Sequence, residues 1–548
     1  MGTTLVMDRR QFLAASAANL LSGCDRLPWQ APPVRILMPG MAEGHLLRDA
    51  AKLPPPSGDI DCDVAILGSG VAGIAAAWRL AREGRRNILM ISGPEPDGNA
   101  AGASMAGQAC PTGAHYLPLP SMESRHVREM LADVGVITAD AFSQLPEFDE
   151  RILVHPEAER LLRAGKWYED LLPEQASSDM ERAEHQRFLR HIEHLKTATG
   201  SDGKRAFAMP IALSSQDETW RALDRLSFRD WLAREGYRSA PLHWYANYAC
   251  RDDYGTDYQH TSAYAGLHYF ASRAGEARNA EPGTVLTWPD GLQGLVRALR
   301  GRIAFGTRLD DEHAPRQMAG FAARVQLRNK GIEVLVVQPA SGDSPLRSMR
   351  VRARHAICAM PLHVATHIVE DMRGFGFDPA MHQPQNAPWM VSNFLMRRFP
   401  EERGAAQLAW DNVAYEGKGL GYVVATHQLI RVAKPEQTVF TAYNALSDDS
   451  PQDARRWLQT ASPEALLERA AGDLHLAYER LWPYVERVDI TLRGHAMASP
   501  RPGYLSNKGL LALREVDGPL QFAHSDLSGY SVFEEAAWWG DVAAKRLL

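Results

Sequence analysis

From Cys62 to Leu67 the chain carries a short, largely apolar run of strand length, closed by glycines. Ile74 to Glu83 follows, with helix-forming alanines and one apolar face. Strand, glycine turn and helix form a βα unit, and a second buried strand is predicted at Ile88–Ile91. A loop of small residues, 98–107, leads into Gly113 to Tyr116. From about Ser121 to Ala280 the pattern becomes helical and amphipathic, rich in Trp and Tyr. Alternation returns at Arg324–Leu327, Gly331–Gln338 and Met349–Ala353, which predicts a meander, and His355–Met360 reads as a buried strand again. Beyond a second mixed region, Leu520–Ala523 is a strand candidate and Glu534–Leu547 an alanine-rich helix. The returning runs predict one α/β domain assembled from residues 60–120, 285–375 and 494–548. A mixed α+β domain is inserted from 121–284 and 376–493.

The segment before Ile60 lacks this patterning. Residues 25–59, with Pro32-Pro33 and Pro54 to Pro56, read as a tether. Ahead of it, Asp8-Arg9-Arg10-Gln11-Phe12-Leu13 has the twin-arginine order, and Leu21-Ser22-Gly23-Cys24 resembles a bacterial lipobox. Residues 1–24 are therefore expected to be an export signal read by the Tat translocase. Lipid on Cys24 would hold the protein at the periplasmic side of the inner membrane, and Asp25 resembles the inner-membrane retention signal. The chain contains no run of eighteen apolar residues.

Composition narrows the partners. A formal net charge of -6 with 23% charged residues lacks the basic excess of a nucleic-acid binder. The five cysteines show no C-x-x-C pair and no metal-ligand spacing, so neither a zinc site nor a disulfide framework is expected.

The candidate chemistry sits in the first turn. In Asp63-Val-Ala-Ile-Leu-Gly68-Ser69-Gly70-Val71-Ala72-Gly73, the three glycines serve a tight turn, close approach of a pyrophosphate and close helix packing. The helix amino terminus adds N–H groups and positive dipole. The acid that usually ends the second strand of a Rossmann-like unit is replaced by Ser92, which becomes the ribose candidate.

Four pieces, in order, carry a family resemblance: the glycine turn, Gly113-Ala-His115-Tyr116, Arg354 to Leu362, and Phe522-Ala-His-Ser525 through Gly529-Tyr530 to Ala544. With them the body from Ile60 to Leu548 resembles the flavin-containing amine oxidase superfamily, which includes protoporphyrinogen oxidase and the carotenoid desaturases. The resemblance implies a Rossmann-like FAD-binding domain and non-covalent FAD, with Gly113, Ser525, Asp526, Phe533 and Glu534 beside it. It also implies hydride transfer from an organic small molecule, an amine or polyamine, with oxygen or a membrane quinone as electron acceptor.

Departures qualify this. His524-Ser525 stands where the family has Gly-Glu, leaving Asp526 as a stand-in; the Gly-Gly-Arg segment is missing; and Thr366 and His367 occupy the positions of a flavin-site lysine. Catalytic candidates are His115, His367 and Tyr530, each with a plainer alternative: packing, a helix surface and a core aromatic. His185, His191 and His194 read as a solvated face, and Trp538-Trp539 as packing. Two other functions stay open: desaturation or isomerisation of an apolar polyene or tetrapyrrole, and a catalytically silent FAD-binding assembly protein.

Overall fold

The computed structural model describes residues 5–6, 32–48, 53–340, 345–402, 407–430, 433 and 435–548. Arg9, Arg10 and Cys24, and with them the export signal, lie outside these residues.

The apolar run after Cys62 is the end of a longer strand, Pro56–Leu67, at the centre of a seven-stranded sheet. On one side it pairs in parallel with Ile88–Ile91, which pairs with Arg316–Met318. On the other it pairs in parallel with Arg347–Cys358, whose end carries Leu520–Phe522. Phe321–Arg328 and Gly331–Gln338 complete the sheet as the antiparallel meander. Helices Val71–Arg82, Gln293–Ile303 and Phe533–Lys545 pack against its buried strands. The three separated stretches thus meet in one sheet, whose fully buried centre is formed by the apolar Val64–Leu67, Ile88–Ile91 and Ala356–Cys358.

The second domain is built on a nine-stranded sheet. In order it contains Leu5–Val6, Val34–Leu37, Val485–Ala498, Asn386–Met396, Thr438–Ala445, Tyr422–Val424, Asp411–Ala414, Glu159–Arg163 and Lys166–Glu169. Period-two alternation gives the sheet two different faces. Met390, Phe394 and Met396 pack with Leu466, Leu474 and other residues of the helices beneath, whereas Trp389 and Val391 join Tyr443, Trp410 and Tyr248 on the opposite face. A helical layer, including Asp179–Thr197, Ala240–Tyr254 and Ala263–Ala271, forms its own core around Phe188, Phe228 and Tyr264.

One expectation needs correction. Part of the expected tether is folded: Val34–Leu37 pairs in parallel with the edge of Val485–Ala498, and Met41–Arg48 is a helix. Those few apolar residues are satisfied by a sheet edge supplied from more than 400 positions away. The first insertion, mostly helical, also supplies a hairpin, 159–169, that extends the sheet of the second insertion through Asp411–Ala414.

Candidate functional site

The glycine turn has the steric form that its sequence predicts. Gly68 has φ +112°, and a Cβ there would lie 2.7 Å from Ala359 O; a Cβ on Gly73 would lie 2.0 Å from Gly68 O. Both positions need glycine for packing. Gly70 differs, because a Cβ on it would meet nothing nearer than Asp97 O at 4.0 Å. Gly70 caps the helix Val71–Arg82 without a side-chain hydrogen bond, so the turn pairs open space with a helix amino terminus. That is the cradle a dinucleotide pyrophosphate fits.

Ser69 and Ser92 close the base of this cradle. Ser69 Oγ donates to Ser92 O at 2.7 Å; Ser92 Oγ donates to Met318 O at 3.2 Å and accepts from Gln317 Nε2 at 2.8 Å. The Ser92 hydroxyl is thus engaged inside the protein, which removes it as the ribose ligand. Ala72 is buried, and Val71 is only partly covered. Gly113 packs on the loop beyond the second strand, where a Cβ would lie 2.1 Å from Asn99 O.

Past Asn99 and Gly113 opens a cavity of about 890 Å³, a volume that includes the solvent at its open mouth. Its walls come from both domains. His115, Tyr116, Tyr443 and Trp389 give aromatic surface; Met209, Leu292, Val391 and Met497 give apolar surface; Phe533 and Glu534 bring the start of the closing helix. One side is polar. Tyr116 Oη donates to Asp252 Oδ2 at 3.0 Å, and Arg273 Nη2 donates to Asp253 Oδ1 at 2.5 Å and to Tyr116 Oη at 3.1 Å.

Carboxylates outnumber cations on that side. Burial pushes the Asp252 carboxyl up to about 7, with the Asp253 charge adding and Arg273 opposing. Asp253 is also raised by burial, against the pull of Arg273. Burial alone accounts for most of the rise of Glu534 to about 7. Beyond Asp252, the Asp411 carboxyl is raised by burial and by the charges of Glu159 and Asp252. Such a set is relieved by a cation.

The predicted catalytic residues fare differently. His115 lies in the cavity, its ring 4.4 Å from that of Tyr443 and 5.5 Å from that of Trp410. Burial lowers its pKa to about 3, so the imidazole is neutral and serves as an aromatic wall. Tyr530 is fully buried behind the site, bonded to Tyr504 and packed on Tyr254 and His268. It is a core aromatic and no cage wall. His367 is exposed on the helix Leu362–Ile368 and lines no part of the cavity, which leaves it no lysine-like role.

Ser525 and Asp526 are buried at the end of Leu520–Phe522. Asp526 is engaged as a tie: its Oδ2 accepts Leu362 N at 2.8 Å and its Oδ1 faces His524 Nδ1 at 3.2 Å. Burial would raise its carboxyl, but His524 and that N–H hold it below the usual range. Asp252 and Asp253 escaped the sequence reading, because their meaning depends on what faces them. Their only sequence signal is a pair of acids at the end of an aromatic-rich helix, directly before Tyr254-Gly255.

Residues 66–134 match the family model of the NAD(P)-binding Rossmann-like domain. No curated protein matches the chain in sequence. Among solved structures, the chain is similar to wild-type putrescine oxidase bound to putrescine, at TM-score 0.61 and 16% identity over 89% of this chain and 99% of that one. It is similar to cyclohexylamine oxidase from Brevibacterium oxydans IH-35A, at TM-score 0.58 and 16% identity over 89% and 98%. A fatty acid isomerase from P. acnes, described as CLA-producing, gives TM-score 0.56 and 15% identity over 88% and 98%. The likeness establishes an α/β fold in which a Rossmann-like domain carries an inserted mixed domain.

Proposed function

We propose that this protein is an FAD-dependent oxidoreductase of the amine-oxidase type, acting on a cationic amine or polyamine. The observation that carries the reading is an aromatic cavity bearing Asp252, Asp253 and Glu534, with Asn99 on its wall beside Gly98, which packs on Gly70 of the glycine cradle. Bound FAD would supply the hydride acceptor. Gly68 to Gly73 would hold its pyrophosphate, and Phe533 and Glu534, at the start of the closing helix, would stand beside its ring. Asp252 and Asp253 would orient an ammonium, while Tyr116, Tyr443 and the neutral ring of His115 give it aromatic faces. Arg273 opposes the effect of burial on Asp253 and fixes the direction of its carboxyl.

The apolar side of the cavity suits a hydrocarbon body. Together with the likeness to a fatty acid isomerase, it supports the second reading, isomerisation or desaturation of an apolar substrate. Export by the Tat translocase, lipid on Cys24, and oxygen or a membrane quinone as acceptor belong to the same proposal and rest on sequence alone.

The test is an anaerobic titration of the purified, yellow protein with a panel of mono-, di- and polyamines and with lipid-soluble polyenes. Bleaching by an amine supports amine oxidation. Bleaching or product formation with polyenes alone supports the second reading, and a preparation that neither contains nor takes up flavin overturns both.

A further inference from the structure

The turn 92–100 carries two acids, Glu95 and Asp97, and no basic residue. It lies against the glycine cradle: a Cβ on Gly98 would be 3.5 Å from Gly70 Cα, and Asp97 O faces Gly70. A diphosphate held there would meet two carboxylates at close range, and the helix dipole alone supplies only about half an elementary charge against them. Cations must therefore come from elsewhere in the chain.

Two arginines reach the turn from distant sequence. Each nitrogen of Arg300 has a partner: its Nη2 and Nε donate to Asp97 Oδ1 at 2.7 and 3.0 Å, and its Nη1 donates to Gln317 Oε1 at 2.7 Å. Arg493 differs. It pairs with Glu95 through Nη2 and donates to Thr112 O through Nη1, whereas its Nε has no partner among the described residues. Its side chain is only 7% exposed and lines the passage between Asn99, Gly113 and the cavity. A buried guanidinium N–H left unpaired costs free energy unless a ligand takes it.

We propose that Arg493 is the cation that answers the diphosphate of the bound dinucleotide, in place of the basic residue that the 92–100 turn lacks. This rests on the dinucleotide reading above. Glu95 shares the same guanidinium, so it competes with the diphosphate and sets how tightly the dinucleotide is held.

The experiment measures dissociation constants of the full-length protein for FAD, ADP and riboflavin by equilibrium dialysis. Arg493→Gln should weaken FAD and ADP at least tenfold and leave riboflavin, which has no phosphate, within twofold; Arg493→Lys should restore most of the loss. Glu95→Gln should tighten FAD and ADP several-fold. Equal loss of FAD and riboflavin in Arg493→Gln, or FAD affinity within twofold of the parent, overturns the assignment. If Arg493→Gln does not fold, unchanged FAD and ADP affinity in Glu95→Gln overturns it. A parent protein that binds neither FAD nor ADP removes the dinucleotide reading itself.

Discussion

At Asp252 the demands of the cavity and of the fold oppose each other. Its carboxyl is raised to about 7 in the folded protein by burial and by Asp253, against a value near 4 in the unfolded chain. A raised carboxyl contributes full stability below the unfolded value and loses it as pH climbs through the folded one. Asp252→Asn is therefore expected to melt at higher temperature than the parent at pH 8, with the gain fading towards pH 4 in thermal scans. The same change should raise the KM for a cationic amine by about 10- to 100-fold, the usual worth of a charged hydrogen bond. In the parent, amine binding should tighten as pH rises through about 7, because the carboxyl that faces the ammonium then ionises. A variant that neither gains stability nor loses amine affinity would remove Asp252 from the site. His115, by contrast, stays neutral across that range, since burial lowers it to about 3.

Among elements, the contact between the glycine-turn helix and the closing helix decides whether the cofactor ends of both stay in place. Gly540 in the closing helix sits where a Cβ would lie 2.2 Å from Ala72 O, one residue before Gly73. Backbone thus packs directly on backbone, which accounts for an alanine-rich closing helix that still places a glycine at its centre. Gly540→Leu should force the helices apart at a cost of about 1–3 kcal/mol or more, as overpacked cores do. The expected readouts are a lower midpoint in denaturant and loss of flavin from the purified protein; retention of flavin with parental stability would show that the contact is not needed. The βα turn was legible from its apolar run and glycines, and the closing helix from its alanines. Their mutual contact was not, because residues 72 and 540 share no sequence pattern, only a surface.

Across the whole molecule, the amino-terminal segment is part of the second domain. Val34–Leu37 covers the edge of Val485–Ala498, and Arg35 pairs with the nearly buried Asp489 at 2.7 Å. Removing residues 1–48 should uncover a flat edge and leave Asp489 with Arg487 alone. The truncated protein is expected to aggregate and to melt lower than one cut only at residue 24, by light scattering and thermal scans. Equal behaviour of the two would return this segment to a tether.

The sequence by itself determined the elements whose physics is local. A buried strand needs a continuous apolar run, a tight phosphate turn needs glycines at fixed offsets, and both are written between Cys62 and Gly73. It also pointed to a return of the chain to its first domain at His355–Met360, through the same kind of run, whereas 494–548 was joined to it by resemblance. Only the tertiary structure decided what the polar residues do. Ser92 looked free and is engaged by Gln317; Asp526 looked like a cofactor acid and ties two segments together; Tyr530 and His367 left the site; Asp252 and Asp253 entered it. The value of a charge or a hydroxyl depends on what faces it and on how much water is excluded, and those are set by partners hundreds of residues away.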